Sequence, residues 1–290
     1  MTSAIETAVR RVLPADLPAV RALVDRDPVV NVLVANRLDQ ATARGSFDTF
    51  RLGGDLIAYA PGGRLESLCF LGANLVPVAA TEDALDAFAN RLARRVRLAA
   101  SLIGEAEAVL ALWDRLAPTW GPAREVRTCQ PLLAIDGPPR VAADPYVRPV
   151  QLDEVDTLFP ASVAMFTEEV GVSPVTDGGA GYRARVRELV GSGCAFARID
   201  EHPGGGRAVV FKADVGYATS AACQIQGVWV EPALRGRGLG IAGMAAVVEQ
   251  ARRTIAPVVS LYVNDFNRTA RAVYERVGFQ QVGTFATVLL

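Results

Sequence analysis

The sequence predicts an α/β protein with mixed (α+β) sheets, built as two domains in tandem. Three observations carry that prediction. The chain has 290 residues, 51% of them hydrophobic, which exceeds one typical domain and suffices for two packed cores. Short β-type runs separated by glycine turns alternate with runs of helical periodicity in both halves. Between the halves, Asp136-Gly-Pro-Pro-Arg140 breaks the chain inside a segment with prolines at 118, 122, 131, 138, 139 and 145. The expected division is a domain over residues 1–135, a linker over 136–145 and a second domain over 146–290.

The two halves open alike. Val9-Arg-Arg-Val-Leu-Pro-Ala-Asp-Leu-Pro-Ala-Val20 and Val147-Arg-Pro-Val-Gln-Leu-Asp-Glu-Val-Asp-Thr-Leu158 both read as a short strand, a polar turn and a helix start with an acid in its first turn. This echo suggests a structural repeat. In the first half, strands are predicted over 47–52, 56–60, 65–71 and 75–79. Thr81 then stands where it can cap a helix on which Leu85, Phe88, Leu92, Val96, Ala99 and Ile103 fall at helical spacing. A further helix is expected over 105–116, and nothing in this half forms a chemical constellation.

In the second half, helices predicted over 153–170 and 182–191 flank a polar, glycine-rich loop at 173–181. A hairpin of 194–199 and 208–216 turns through His202-Pro-Gly-Gly-Gly206. A strand over 223–230 leads through a loop into a helix over 238–253. A strand at 258–263, a helix at 268–277 and strands at 279–282 and 285–289 complete the chain.

Composition narrows the function. A net charge of −1 lacks the electrostatic footprint of a general nucleic-acid binder. Lys212 is the lone lysine among thirty Lys and Arg residues, a bias that reads as compositional. No apolar run approaches the ~20 residues of a membrane span, and MTSAIETAVRR lacks a basic-then-apolar leader pattern. Cys69, Cys129, Cys194 and Cys223 are dispersed without a CxxC pair, and His202 is the only histidine. Neither a metal site nor a disulfide framework is expected, and a reducing cytoplasm is the expected compartment.

The chemistry concentrates in Gly227-Val-Trp-Val-Glu-Pro-Ala-Leu-Arg-Gly-Arg-Gly-Leu-Gly240. An apolar strand runs into a loop that opens a long helix. A helix start carries unpaired N–H groups and a positive dipole end, glycines let a phosphate approach the backbone, and arginines add charge. The pattern therefore points to anion binding, against the bland alternative of a glycine-rich turn with solvated arginines. Gly238-x-Gly240-x-x-Gly243, with Asp265 downstream, also matches a dinucleotide fingerprint. That alternative wants its glycines in a tight turn directly after the strand, whereas Glu231–Arg237 intervene.

Val230-x-Pro232 followed by Arg235-x-x-Gly238-x-Gly240 resembles the pyrophosphate-binding motif (Q/R)xxGxG/A of the GNAT acetyltransferases. Tyr262-Val-Asn264, Asn267-x-x-Ala270-x-x-x-Tyr274 and Gly278-Phe279 resemble that family's next motif, in the family's order and separation. The resemblance covers residues 146–290. The whole chain is similar to an actinobacterial group with a DUF4081 domain ahead of the GNAT domain; Met165-Phe-Thr-Glu-Glu-Val-Gly171 and Tyr262-Val-Asn-Asp-Phe-Asn267 carry that narrower match. It implies a GNAT acyl-CoA N-acyltransferase fold preceded by a smaller GNAT-like α/β domain without a CoA motif. The implied partners are acetyl-CoA and an amine acceptor, in a monomer or homodimer.

Carried over by residue, the resemblance implies that the backbone of Val228, Trp229 and Val230 holds the acyl and pantetheine arm. Amides of Arg235, Gly236, Arg237, Gly238, Leu239, Gly240 and Ile241 would surround the pyrophosphate. Asn267 would contact the pantetheine or phosphate side, and Tyr274 would direct its hydroxyl at the thioester sulfur. A lysine-like amine is about one part in a thousand neutral at pH 7, a cost of roughly 4–5 kcal/mol, so a base or a less basic acceptor is needed. A tyrosine facing a thiol is about 2 kcal/mol uphill as a full proton donor, which makes Tyr274 a hydrogen-bond donor to the departing sulfur. Where some GNAT enzymes place a strand glutamate, this chain has Gln224 and Gln226. Glu168 and Glu169, before the acceptor-side loop, are the candidate bases; Glu231, His202 and a water-mediated base are the alternatives. The absent strand carboxylate also motivates a second reading, a regulatory acyl-CoA-binding protein without turnover.

Overall fold

A computed structural model describes residues 8–43, 47, 49–176, 178–201 and 205–290. The chain forms two compact units: Met1–Leu133 with Tyr262–Phe266 and Gln281–Leu290, and Ala134–Leu261 with Asn267–Gln280. The predicted linker is a single cut along the sequence, whereas compactness returns two later segments to the first unit.

The first unit runs β1 (Val9–Arg11), α1 (Leu17–Val24), α2 (Val32–Thr42), α3 (Thr49–Leu52), β2 (Gly54–Tyr59), β3 (Ser67–Gly72), β4 (Asn74–Val78), α4 (Glu82–Leu92), β5 (Ser101–Glu105), α5 (Ala106–Trp120) and β6 (Glu125–Ile135). The chain's last strand, β12 (Gln280–Leu289), runs antiparallel to β5 from Phe285↔Glu105 to Leu289↔Ser101. Strand order is β1-β2-β3-β4-β5-β12-β6, antiparallel through β4 and parallel between β4 and β5. Its core gathers Ile57, Leu85, Phe88, Leu102, Leu112 and Val288. Burying each such side chain contributes ~1.5–3 kcal/mol.

The second unit runs β7 (Arg148–Pro149), α6 (Val155–Val170), α7 (Ala180–Gly191), β8 (Ala195–Glu201), β9 (Arg207–Ala218), β10 (Ala222–Val230), α8 (Leu239–Thr254), β11 (Val258–Tyr262) and α9 (Arg268–Val277). Its strand order is β11-β10-β9-β8-β7, antiparallel from β7 to β10 and parallel between β10 and β11. Leu158, Val186, Val209 and Trp229 pack the core under α6 and α7.

Element order repeats between the units, and so does one polar device. In the first, Asp16 accepts the Leu13 N–H (2.7 Å) and two bonds from Arg10 (2.6 and 2.8 Å). In the second, Glu154 accepts the Gln151 N–H (3.0 Å) and two bonds from Arg148 (2.7 Å each). Each carboxylate satisfies a backbone donor at the entry to the first helix and ties that entry to the opening strand. The arginine beside each carboxyl holds it below its ordinary range, Glu154 at about 2.

Four sequence expectations differ from the structure. Residues 49–52 are a helical turn rather than a strand, and β2 starts at Gly54. A Cβ at Gly54 would strike the Leu71 carbonyl oxygen, so the two backbones lie close together at the start of this ladder. The helix capped by Thr81 ends at Leu92. Val96 and Leu98 are 83% and 86% exposed, and Ser101–Glu105 joins the sheet instead. That apolar run fits either period, and pairing with two strands decides for β. Residues 125–135, with Pro131 among them, form an eleven-residue strand to which the sequence reading assigned no element. Finally, the two terminal strands are one, Gln280–Leu289.

Candidate active site

The site begins with the course of β10. Its parallel ladder with β11 registers at Ala222↔Val258, Cys223↔Val259 and Gln224↔Ser260, and among the described residues it registers no further. Along β9 the register passes from Gln226↔Asp214 to Trp229↔Lys212, three residues of β10 against two of β9. The extra residue makes a bulge at Gly227 and Val228. Gly227 takes a left-handed φ of +63°, a conformation that side-chained residues adopt at a cost of ~1–2 kcal/mol. A Cβ there would lie 2.9 Å from Met165 Cε. A bulge leaves a ladder amide unpaired, so this is where the strand can offer a donor to a ligand.

Beyond Val230 the chain makes a 3-10 turn at Pro232–Leu234 and then enters α8. Gly236 and Gly238 have φ of +77° and +83°, with no atom within 4 Å of either Cβ position. Gly238 is the N-cap residue and has no side chain with which to cap. The Ile241 and Ala242 amides both bond to the Gly238 carbonyl (3.1 Å each), while geometry gives the first helical amides, Leu239 and Gly240, no acceptor inside the helix. The helix start thus combines uncapped N–H groups, a positive dipole end and open space beside Gly236 and Gly238. Gly240 and Gly243 have a different office: a Cβ on Gly240 would meet Val230 at 3.5 Å, and one on Gly243 would strike the Phe211 ring at 2.7 Å. The fingerprint glycine at 243 is therefore a packing glycine in mid-helix, and the turn at Pro232–Leu234 separates the loop from its strand, contrary to the dinucleotide alternative.

The sequence-predicted side chains fall as follows. Arg235 does not extend into the loop: its Nε donates to the Val230 carbonyl (3.0 Å) and Nη2 to Glu168 Oε2 (2.8 Å). Glu168 Oε1 accepts the indole N–H of Trp229 (3.2 Å), so Glu168 fastens the end of α6 to the end of β10. Trp229 is itself core, 7% exposed. Arg237 is exposed. Asn267 caps α9, its Oδ1 accepting the Ala270 N–H at 3.1 Å. Tyr274 is 7% exposed and lies edge-on to Phe279, centroids 5.9 Å apart. Burial, reinforced by the Glu169 carboxylate, holds its hydroxyl well above the ordinary phenol value, so it stays protonated through the neutral range. Glu169 is exposed at the end of α6. Its charge acts on the Tyr182 hydroxyl too, after burial and Asp214. The alternative base His202 lies outside the described residues.

Residues 164–279 match the family model described as Acetyltransferase (GNAT) family, and residues 54–158 match that described as Domain of unknown function (DUF4081). The chain carries a C-terminal GNAT-family acetyltransferase domain. No curated protein matches the chain in sequence. Among solved structures, the fold is similar to that of a Drosophila protein (13% identity, TM-score 0.65, covering 98% of each chain). It is also similar to an acetyltransferase of the GNAT family from Colwellia psychrerythraea (10%, 0.54, covering 97% of this chain and 99% of that one). A tandem GNAT protein from the clavulanic acid biosynthesis pathway matches at 16% and 0.53, covering 97% and 98%. At these identities the likeness shows the fold, which spans both units.

Within the GNAT domain, sequence reasoning overlooked Lys212 and Asp214. Lys212 is fully buried, its Nζ 2.5 Å from Asp214 Oδ2 and 3.3 Å from the Gly227 carbonyl oxygen. A signal was present: the one lysine of an arginine-rich chain stands two residues from an aspartate inside an apolar strand. Burial pushes the Asp214 carboxyl up, and the Lys212 ammonium opposes that rise. The first unit shows what the GNAT loop would lose to a self-capped helix. There β4 passes to α4 through Ala79, Ala80 and Thr81, and the Thr81 hydroxyl accepts the Ala84 N–H at 3.3 Å. Among the described residues, no group of three or more His, Cys, Asp or Glu side chains is placed to hold a metal, and no helix is long and apolar enough to cross a membrane.

Proposed function

We propose that the GNAT domain transfers an acetyl or other acyl group from acetyl-CoA or a related acyl-CoA to an amine, directly and without a covalent enzyme intermediate. One contrast carries this reading. At equivalent places in the two units, α4 is capped by its own threonine, whereas α8 starts on a bare glycine beside a bulged strand. The helix start suits a diphosphate, and the bulge a few residues away suits a thioester carbonyl.

Acyl-CoA supplies an activated acyl group. The chain's own residues do the rest. Amides of Gly236 to Gly240 hold the diphosphate, the Val228–Val230 backbone aligns the acyl arm, and the bulge amide stabilises negative charge on the carbonyl oxygen as the amine nitrogen bonds to the acyl carbon. The carbon–sulfur bond breaks with its electron pair on sulfur. Tyr274, kept protonated by burial, donates its O–H toward that thiolate. For the proton leaving the amine we assign Glu169 before Glu168, because the Glu169 carboxylate lies close enough to act on the Tyr274 hydroxyl. The acceptor is an amine of a small molecule or a protein.

Calorimetry with acetyl-CoA and NAD, followed by thiol release against a panel of amines, peptides and small metabolites, tests the reading. Binding of acetyl-CoA without NAD, with amine-dependent release above hydrolysis, is expected. NAD binding without CoA binding overturns it. CoA binding with no amine raising release makes the domain a regulatory acyl-CoA binder.

A further inference from the structure

Lys212 is the only lysine in the chain and is 0% exposed, on the face of β9 that packs under α6. Its Nζ has two partners, Asp214 Oδ2 at 2.5 Å and the Gly227 carbonyl at 3.3 Å. Stability alone does not call for this arrangement, because a buried ion pair replaced by apolar side chains of similar volume is often neutral or better. Its place in the strand is informative. Gly227 is the left-handed residue of the β10 bulge, and a Cβ on it would come within 3.1 Å of Asp214 Oδ2 and 3.3 Å of Lys212 Nζ. The ion pair is therefore packed against the peptide joining Gly227 to Val228.

We propose that Lys212, held by Asp214, is a positioning residue for acyl transfer: it fixes the Gly227–Val228 peptide so that the Val228 N–H faces the acyl carbonyl. This rests on the reading of β10 as the acyl-binding strand. In a trans peptide the carbonyl and the N–H point to opposite edges, and among the described residues no peptide bond is cis. With the Gly227 carbonyl drawn to the ammonium, the Val228 N–H points away from it. Beyond Gln224 the β10 edge registers no pair with β11 among the described residues, so that side of the strand can receive a ligand. An ammonium on the carbonyl also polarises the same peptide and strengthens its N–H as a donor. Lysine suits the position because its charge is compact and its stem slender.

The test uses the full chain with acetyl-CoA carrying carbon-13 at the thioester carbonyl, read by isotope-edited infrared spectroscopy. The bound carbonyl band of the wild type is expected below that of free acetyl-CoA. In Lys212→Met/Asp214→Asn, which removes both charges and leaves no unpaired buried carboxylate, the band should return toward the free position. The CoA dissociation constant should stay within about threefold, and kcat for transfer or hydrolysis should fall about 10–100-fold, a fraction of the loss seen when a whole oxyanion donor is deleted. A wild-type band at the free position overturns the proposal even if the variant does not fold. So does a variant with unchanged band and kcat. A wild type that binds no CoA at all fails at the earlier step, the reading of the strand itself.

Discussion

Acid titration of Glu154 offers a direct measure of what orients the helix that carries Glu168 and Glu169. Its carboxylate is 6% exposed and accepts from Arg148, Arg207 and the Gln151 amide, with its pKa lowered from 4.5 to about 2. At 1.36 kcal/mol per pH unit that fall corresponds to roughly 3 kcal/mol of stability. Arg148 and Arg207 are 43% and 50% exposed, and solvent screening of their charges reduces the figure to about 2 kcal/mol. The folded carboxyl is the stronger acid, so the contribution is fully present above pH ~4.5 and is lost as pH falls toward about 2, with more than half gone by pH 3. Urea denaturation of the wild type and Glu154→Gln from pH 7 to pH 3 measures it. The two stabilities should differ by about 2 kcal/mol at pH 7 and converge as pH falls. Parallel curves, with the same difference at pH 3 as at pH 7, would refute the reasoning that the clamp is ionic.

Three further outcomes follow from the site. Tyr274→Phe should lower kcat at least tenfold while leaving the calorimetric affinity for CoA within about twofold, because the hydroxyl is assigned to the departing sulfur and not to the ground state; equal losses in both would defeat that role. Gly238→Ala forces a side chain into φ +83° at the N-cap and should weaken CoA binding more than tenfold, with a melting cost of only ~1–2 kcal/mol, as read by calorimetry and thermal unfolding. Gly243→Ala should do the reverse. Its Cβ meets the Phe211 ring at 2.7 Å, so stability should drop by ~1–3 kcal/mol while CoA affinity in the folded fraction stays close to wild type.

Much of the site is legible in the sequence because its signals are local. Pro232, Gly236 and Gly238 lie within seven residues, and each acts on its own stretch of backbone, by ending a strand, permitting a left-handed φ or leaving a helix start uncapped. The pairing of strand and helix around residues 222–254 and the Thr81 cap are of the same kind. The run from Leu85 to Ile103 shows where local reading stops. Its apolar spacing is compatible with one long helix, yet residues 101–105 form a strand because partners at 74–75 and 285–289 compete for them.

Alone, the sequence determined the left-handed glycines Gly236 and Gly238 at an uncapped helix start, the fold class and the echo between the two halves, since turn chemistry, helix termini and apolar periods are written in neighbouring residues. Tertiary structure alone decided the rest. It set the bulge that singles out Gly227, buried Lys212 against it, drew Arg235 and Glu168 together across 67 residues, and assigned residues 281–290 to the first unit. Register, ion pairing and burial depend on which distant backbone arrives at the same place, and no short window of sequence specifies that meeting.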